Sequence, residues 1–203
     1  SLDLIGQARM LYQRAAELQG GTTTEDTLAY FRDVPDFKNY TLCELPHMSL
    51  MSATAQGERD FAITIVRNFL YSSLMVLVWD QLQSSKDEQL AAIAAKSLKE
   101  VRYHLRHSRD WLVRMGDGTD ESHAKAQAAL DQLLPYTQEF WSTSAQEQAA
   151  QANGTGIDMA ALQTDWNAIV DTALQEATLQ RPAAGGFVPT GKQGLHSEHL
   201  GFV

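Results

Sequence analysis

Residues 61–83 read Phe61-Ala62-Ile63-Thr64-Ile65-Val66-Arg67-Asn68-Phe69-Leu70-Tyr71-Ser72-Ser73-Leu74-Met75-Val76-Leu77-Val78-Trp79-Asp80-Gln81-Leu82-Gln83. Phe61, Ile65, Phe69, Met75, Val76 and Trp79 fall at helical spacing. Leu70, Leu74, Leu77 and Val78 make the second half apolar nearly all round. A helix with no water-compatible face belongs inside a bundle. Its longest apolar run, Phe69 to Trp79, is broken by Ser72 and Ser73 and is shorter than the roughly 20 residues of a bilayer span. The apolar segment is expected to run from Glu58 to Gln83, with no membrane involved.

Outward from this segment the pattern stays helical. Leu4, Ala8, Leu11, Ala15 and Leu18 recur at three- and four-residue steps, predicting a helix over 1–19 that ends at Gly20-Gly21. Thr24 can cap a short helix through Tyr30. Pro35 and Pro46 then predict loops or short turns, and a long irregular stretch commonly serves contact with a partner. Ser85 and Glu88 have capping-box spacing and start a helix to Met115. Asp120 or Ser122 starts another to about Thr143, kinked at Pro135. Residues 144–156 read as a mobile connection. Asp158 caps a last clear helix that ends before Pro182, and Gly194 to His199 can start one more. No stretch alternates with period two. The expected fold is all-α, an up-and-down bundle with extra helices, in a single domain over 1–203.

Composition narrows the function. The chain has 203 residues, 44% of them hydrophobic, with 16 Lys+Arg against 25 Asp+Glu and a net charge of -9. Nonspecific nucleic-acid binding needs a basic surface, so nucleic acid is not an expected partner. A single cysteine, Cys43, excludes a disulfide framework and a Cys-rich zinc site and fits a cytoplasmic chain. Cys43 reads as an inert thiol. No basic leader opens the sequence, and both ends read as cut, so a longer natural chain is expected.

Glu100, His104, His107 and Trp111 share one face of the 86–115 helix. A bundle di-iron site takes one Glu from each of two helices and Glu-x-x-His from each of two others. The sequence approaches this pattern and departs from it. Tyr103 stands three residues after Glu100, and His104 is one residue late. Leu179 stands three after Glu176. The 61–83 helix has no carboxylate between Phe61 and Trp79. The first helix offers Asp3 and Gln7. Asp3, Gln7, Glu100, Tyr103 and His104 therefore read as a vestigial, hydrogen-bonded polar cluster with no metal and no catalytic residue. The alternative is a non-standard di-metal site around Glu100 and His104, with His196 or His199.

Other features invite contact with a partner or ligand. Lys99, Arg102, Arg106 and Arg109 form a basic stripe that suits an acidic partner or coenzyme phosphates, or stays a solvated face with local ion pairs. His196, Glu198 and His199 form a second cluster, read as a structural, partner or ligand contact. Gly186 to Gln193 mimics a phosphate loop but has Gln193 where Ser or Thr should bind magnesium, and no strand before it. Trp79, Trp111, Trp141 and Trp166 read as core.

Several blocks resemble one family. They are Asp3 to Arg9, Glu25 to Tyr30 with Arg32-Asp33, Ala91 to Arg106, Ser108 to Leu112, Gly116 to Asp120, Glu176 to Leu179 and Gly191 to Gly201. In this order they resemble the PaaC family, the non-catalytic, structural subunits of bacterial phenylacetyl-CoA 1,2-epoxidase complexes. The resemblance implies a ferritin-like bundle without a functional di-iron site, lacking here an N-terminal and a C-terminal helix of the natural chain. It implies a scaffold that pairs with and stabilises a catalytic di-iron subunit. A reductase partner with NADPH, flavin and iron–sulfur supplies electrons, and the ring of phenylacetyl-CoA is epoxidised during aerobic phenylacetate catabolism. The resemblance supplies no cofactor for this chain itself. A homodimer is a further possible partner, and residues 33–60 depart most from the family. A homo-oligomeric acyl-CoA-binding bundle using the arginine stripe remains open beside it.

Overall fold

The structure is a computed structural model that describes residues 2–48, 60–183, 185 and 188–202. The expected helix start at Glu58, and Gly186 and Phe187 of the phosphate-loop look-alike, lie outside the described residues. Among those residues the chain is helical, without strands: α1 (Leu2–Gln19), α2 (Glu25–Tyr30), α3 (Phe61–Leu82), α4 (Glu88–Gly116), α5 (Asp120–Leu133), α6 (Ala145–Asn153) and α7 (Gln163–Glu176), joined by 3-10 turns.

The apolar helix α3 is central. α4 folds back along it after a short link, and α5 and α7 pack against both. By length and composition alone α3 could cross a membrane. Its place here is the bundle core, where Phe69, Leu70 and Leu74 have no exposed surface. Each such side chain contributes about 1.5–3 kcal/mol by leaving water. Across the core, Trp166 of α7 donates its indole N–H to the Leu70 carbonyl at 3.2 Å. Phe140 lies edge-on to Tyr40, Trp141 and Trp166. Trp111 departs from its expected core position. It is 36% exposed, in edge contact with Phe61, which is itself exposed.

α1 packs on the outside of α4. Asp3 meets His104, Gln7 meets Glu100 and Arg14 meets Asp87. Numbers rise on one helix as they fall on the other, so the two run antiparallel.

Local chemistry sets the helix ends. α1 stops at Gly20 and Gly21, both at positive φ. Thr24 caps α2 as expected. The cap of α4 is not Ser85. Asp87 accepts from the Gln89 and Leu90 N–H groups, each at 3.1 Å. Ser85 instead donates to the Thr155 carbonyl at 2.8 Å, so a tertiary contact withdraws it from capping. Thr119 caps α5. At Pro135 the helix tightens into a 3-10 helix, Leu134–Trp141, rather than continuing with a kink. Residues 144–156 are not an irregular connection. Ser144 and Glu147 form a capping box, α6 follows, and Gly154 ends it at φ +83°. Among its described residues the tail carries only 3-10 turns, Gly191–Gln193 and Leu200–Phe202, and no further α-helix starts at Gly194.

Candidate functional site

The seam between α1 and α4 gathers most of the expected polar cluster. Gln7 is 5% exposed and donates its side-chain N–H to Glu100 Oε2 at 2.8 Å. One turn further, His104 Nε2 lies 3.1 Å from Asp3 Oδ2. These pairs form because Asp3 and Gln7 are four apart on α1 while Glu100 and His104 are four apart on α4, so both carry the same face over one turn. Tyr103 does not join them. It is 57% exposed, stacks on the His107 ring and lies under the Arg106 guanidinium. A step of 100° per residue turns it out of the seam.

Behind the seam is a cavity of about 20 Å³ between Leu4, Gln7, Tyr71, Ser72, Val101 and His104. That volume holds about one water. Among the described residues no carboxylate lines it. Burial pushes the Tyr71 hydroxyl well above the usual tyrosine range, as expected in a medium that disfavours charge.

A di-iron centre of the ferritin-like kind needs several carboxylates and two imidazoles converging on one point. Here one carboxylate is tied to an amide and one imidazole to an exposed aspartate. Among the described residues no three His, Cys, Asp or Glu side chains converge on a point that could hold a metal ion. His196 and His199 are not neighbours of Glu100 in these contacts: His196 is bound to Glu44, and His199 lies 3.9 Å from Glu198. The described residues do not fit a pair of iron ions.

The basic stripe is dispersed. Arg102 pairs with Asp80 at 3.4 Å, Arg109 pairs with Glu176, and Arg106 faces outward over Tyr103. Exposed pairs of this type contribute at most about 1 kcal/mol each.

The second cluster divides. Glu198 is a solvent-facing carboxylate, 88% exposed, and His199 lies partly exposed beside it. His196 is internal. Its Nδ1 is 2.6 Å from Glu44 Oε1, and its Nε2 is 2.7 Å from the Phe37 carbonyl and 3.0 Å from that of Val34. Glu44 is fully buried and also accepts from the Ser197 N–H and hydroxyl, each at 2.8 Å. A second buried carboxylate, Glu139, accepts from the backbone N–H groups of Thr41 at 2.8 Å and Lys192 at 2.6 Å. Neither carboxylate stood out in the sequence. A glutamate inside the aromatic run Tyr136 to Trp141 was the available signal for Glu139. The phosphate-loop look-alike is accounted for at its described end. The Gly191 N–H bonds Thr41 Oγ1 and the Lys192 N–H bonds Glu139, so those donors serve the protein itself. Cys43, beside Glu44, has its thiol pushed up to about 11 by burial, which makes it a poor nucleophile at neutral pH.

The chain is thus a ferritin-like helical bundle whose polar seam does not provide a metal-binding set. It belongs to the family described as phenylacetic acid catabolic protein, which matches residues 1–203. It is 42% identical over 200 residues to one of the subunits of the 1,2-phenylacetyl-CoA epoxidase of Escherichia coli (strain K12). That match covers 98% of this chain and 76% of the relative.

Proposed function

We propose that this chain is a non-catalytic, structural subunit of a cytoplasmic oxygenase complex that epoxidises phenylacetyl-CoA in phenylacetate catabolism. The reading rests on one observation above all. At the α1–α4 seam, where a metal-binding bundle needs converging carboxylates and imidazoles, Gln7 donates to Glu100 instead. An amide on the carboxylate satisfies it without a cation. The likeness to a subunit of a phenylacetyl-CoA epoxidase supplies the reaction class.

In this reading the chain binds no cofactor. Its partners are a catalytic subunit that carries the di-iron centre and, through it, an NADPH-dependent reductase with flavin and iron–sulfur. The contribution is mechanical: apolar helix surface buried against the catalytic subunit holds that bundle in shape. Ile5, Leu18, Tyr30 and Phe31 are each at least 66% exposed, which supports surface reserved for such contact. Stable obligate interfaces commonly bury about 2,000 Å² or more.

The test is to produce the chain alone and with the catalytic subunit in iron-supplemented medium. The expected result is no stoichiometric iron and no oxygenase activity in the chain alone, and a higher yield of soluble catalytic subunit on co-expression. Two metal ions per chain, lost on Glu100→Ala, or equal yields with and without the chain, would overturn the proposal.

A further inference from the structure

The tail from Val188 to Phe202 crosses the segment 34–47 and is fastened to it at two points. The first is Glu139, whose carboxylate holds the Lys192 and Thr41 N–H groups; Lys192 Nζ adds bonds to the Ser142 carbonyl at 2.7 Å and to Glu147 at 2.8 Å. The second is the His196–Glu44 contact, with the two side chains 4% and 0% exposed. Between them, Gly194 sits at φ +85°, and a Cβ there would lie 2.3 Å from the Pro35 carbonyl oxygen. The tail is therefore seated closely on this segment.

The two fastenings differ in how they depend on protons. At the first, the bonds to Glu139 come from backbone amides, which do not titrate near neutrality. At the second, both nitrogens of the His196 ring face acceptors: Glu44 Oε1 on one side, and the Phe37 and Val34 carbonyls on the other. Only an imidazolium can donate from both nitrogens. A proton on Glu44 instead would let the neutral ring accept, but Glu44 Oε2 already takes two donors from Ser197, which favours the ionised carboxylate.

We propose that His196 and Glu44 form a proton-set latch, closed while the ring is an imidazolium and released when it loses its proton, freeing the tail beyond Gly194 but leaving the Glu139 fastening in place. The charged surroundings agree. Glu44 is the only carboxylate in contact with the ring among the described residues. Asp33 and Asp36, on the turn that supplies the carbonyls, and Glu198, on the tail, are exposed and add weaker negative potential. His199 lies beside Glu198, and the Arg32 guanidinium lies over the Phe37 ring, so that cation opposes the latch from the far side of the turn. Burial alone would lower the His196 pKa, but Glu44 and the two carbonyls together outweigh it and raise the pKa above its ordinary value. The latch is thus complete below about pH 6.5 and opens only as the pH rises through the higher folded value. Opening uncovers the buried Glu44 carboxylate.

The experiment follows the ring nitrogens of His196 by nitrogen NMR while recording amide exchange along the tail of the whole chain. Both nitrogens are expected to be protonated at pH 6, below the ordinary imidazole value of about 6.5. As the ring deprotonates at higher pH, protection of the Ser197 amide should fall at least tenfold while that of Lys192 holds. In His196→Gln the Ser197 protection should become independent of pH over the same range. If that variant does not fold, the titration of the unaltered chain still decides. A neutral ring at pH 6, or a Ser197 amide whose protection ignores the ring's titration, would overturn the latch.

Discussion

Gln7 on α1 and Glu100 on α4 are joined by a 2.8 Å hydrogen bond across the seam between the two helices. The amide supplies a donor to one oxygen of a half-buried carboxylate. Changing that one group changes the electrostatics of the whole seam.

Gln7→Glu would place two carboxylates in contact at a position only 5% exposed. Like charges at that distance raise the pKa of one of them. The variant should lose about 1–3 kcal/mol at pH 7 and recover most of it near pH 5, where one carboxyl takes up a proton. Urea denaturation at the two pH values checks this. It should still bind no stoichiometric iron, because a second imidazole is missing from the seam.

Glu139→Ala would leave the Thr41 and Lys192 N–H groups buried without an acceptor. At about 1–3 kcal/mol for each unsatisfied group, the loss should be about 2–6 kcal/mol. Glu139→Gln keeps one acceptor and should cost roughly half as much. Denaturant midpoints of the two variants give the comparison. Equal stability of all three proteins would show that the tail does not depend on this carboxylate.

Asp87 caps α4 and accepts from Arg14 at 2.8 Å. The Arg14 side chain, and next the Leu90 N–H, hold its pKa below the usual aspartate value. A depressed folded pKa stabilises the fold above the unfolded value near pH 3.9, and that contribution fades as pH falls through the folded one. Asp87→Asn keeps an N-cap acceptor but has no carboxylate to protonate. Its stability curve below about pH 4 should be flatter than that of the unaltered chain. Asp87→Ala removes the cap as well, at a further cost of about 1 kcal/mol. Parallel acid titrations of helicity distinguish the three.

Gly116 closes α4 against the chain leaving α7. A Cβ there would lie 2.1 Å from the Ala177 carbonyl oxygen, which is backbone and cannot swing aside. Gly116→Ala should therefore destabilise by about 1–3 kcal/mol or more, despite alanine's higher helix propensity. A thermal melt at or above the unaltered Tm would contradict this contact.

Much of the bundle was legible along the chain. The apolar circumference of α3 is a local property, and it placed that helix at the centre. Gly20-Gly21, Thr24 and Pro135 marked boundaries through backbone geometry alone. Tyr103 and Leu179 spoil two Glu-x-x-His spacings, a matter of residue identity and period. Even α6 had its signal, the Ser144–Glu147 pair, although the Gln/Ala-rich composition around it suggested an irregular link.

Tertiary structure decided the rest. Whether Tyr103 joins the seam depends on the exact side of α4 that α1 covers, and Trp111 meets Phe61 edge-on because α3 and α4 lie side by side. Glu44 and His196 are 152 residues apart, and Glu139 reaches Thr41 across 98. Periodicity and capping act over one turn of helix, so they are written in neighbouring residues. A carboxylate becomes a buried fastening only when distant donors converge to replace its water, and no local pattern encodes that convergence.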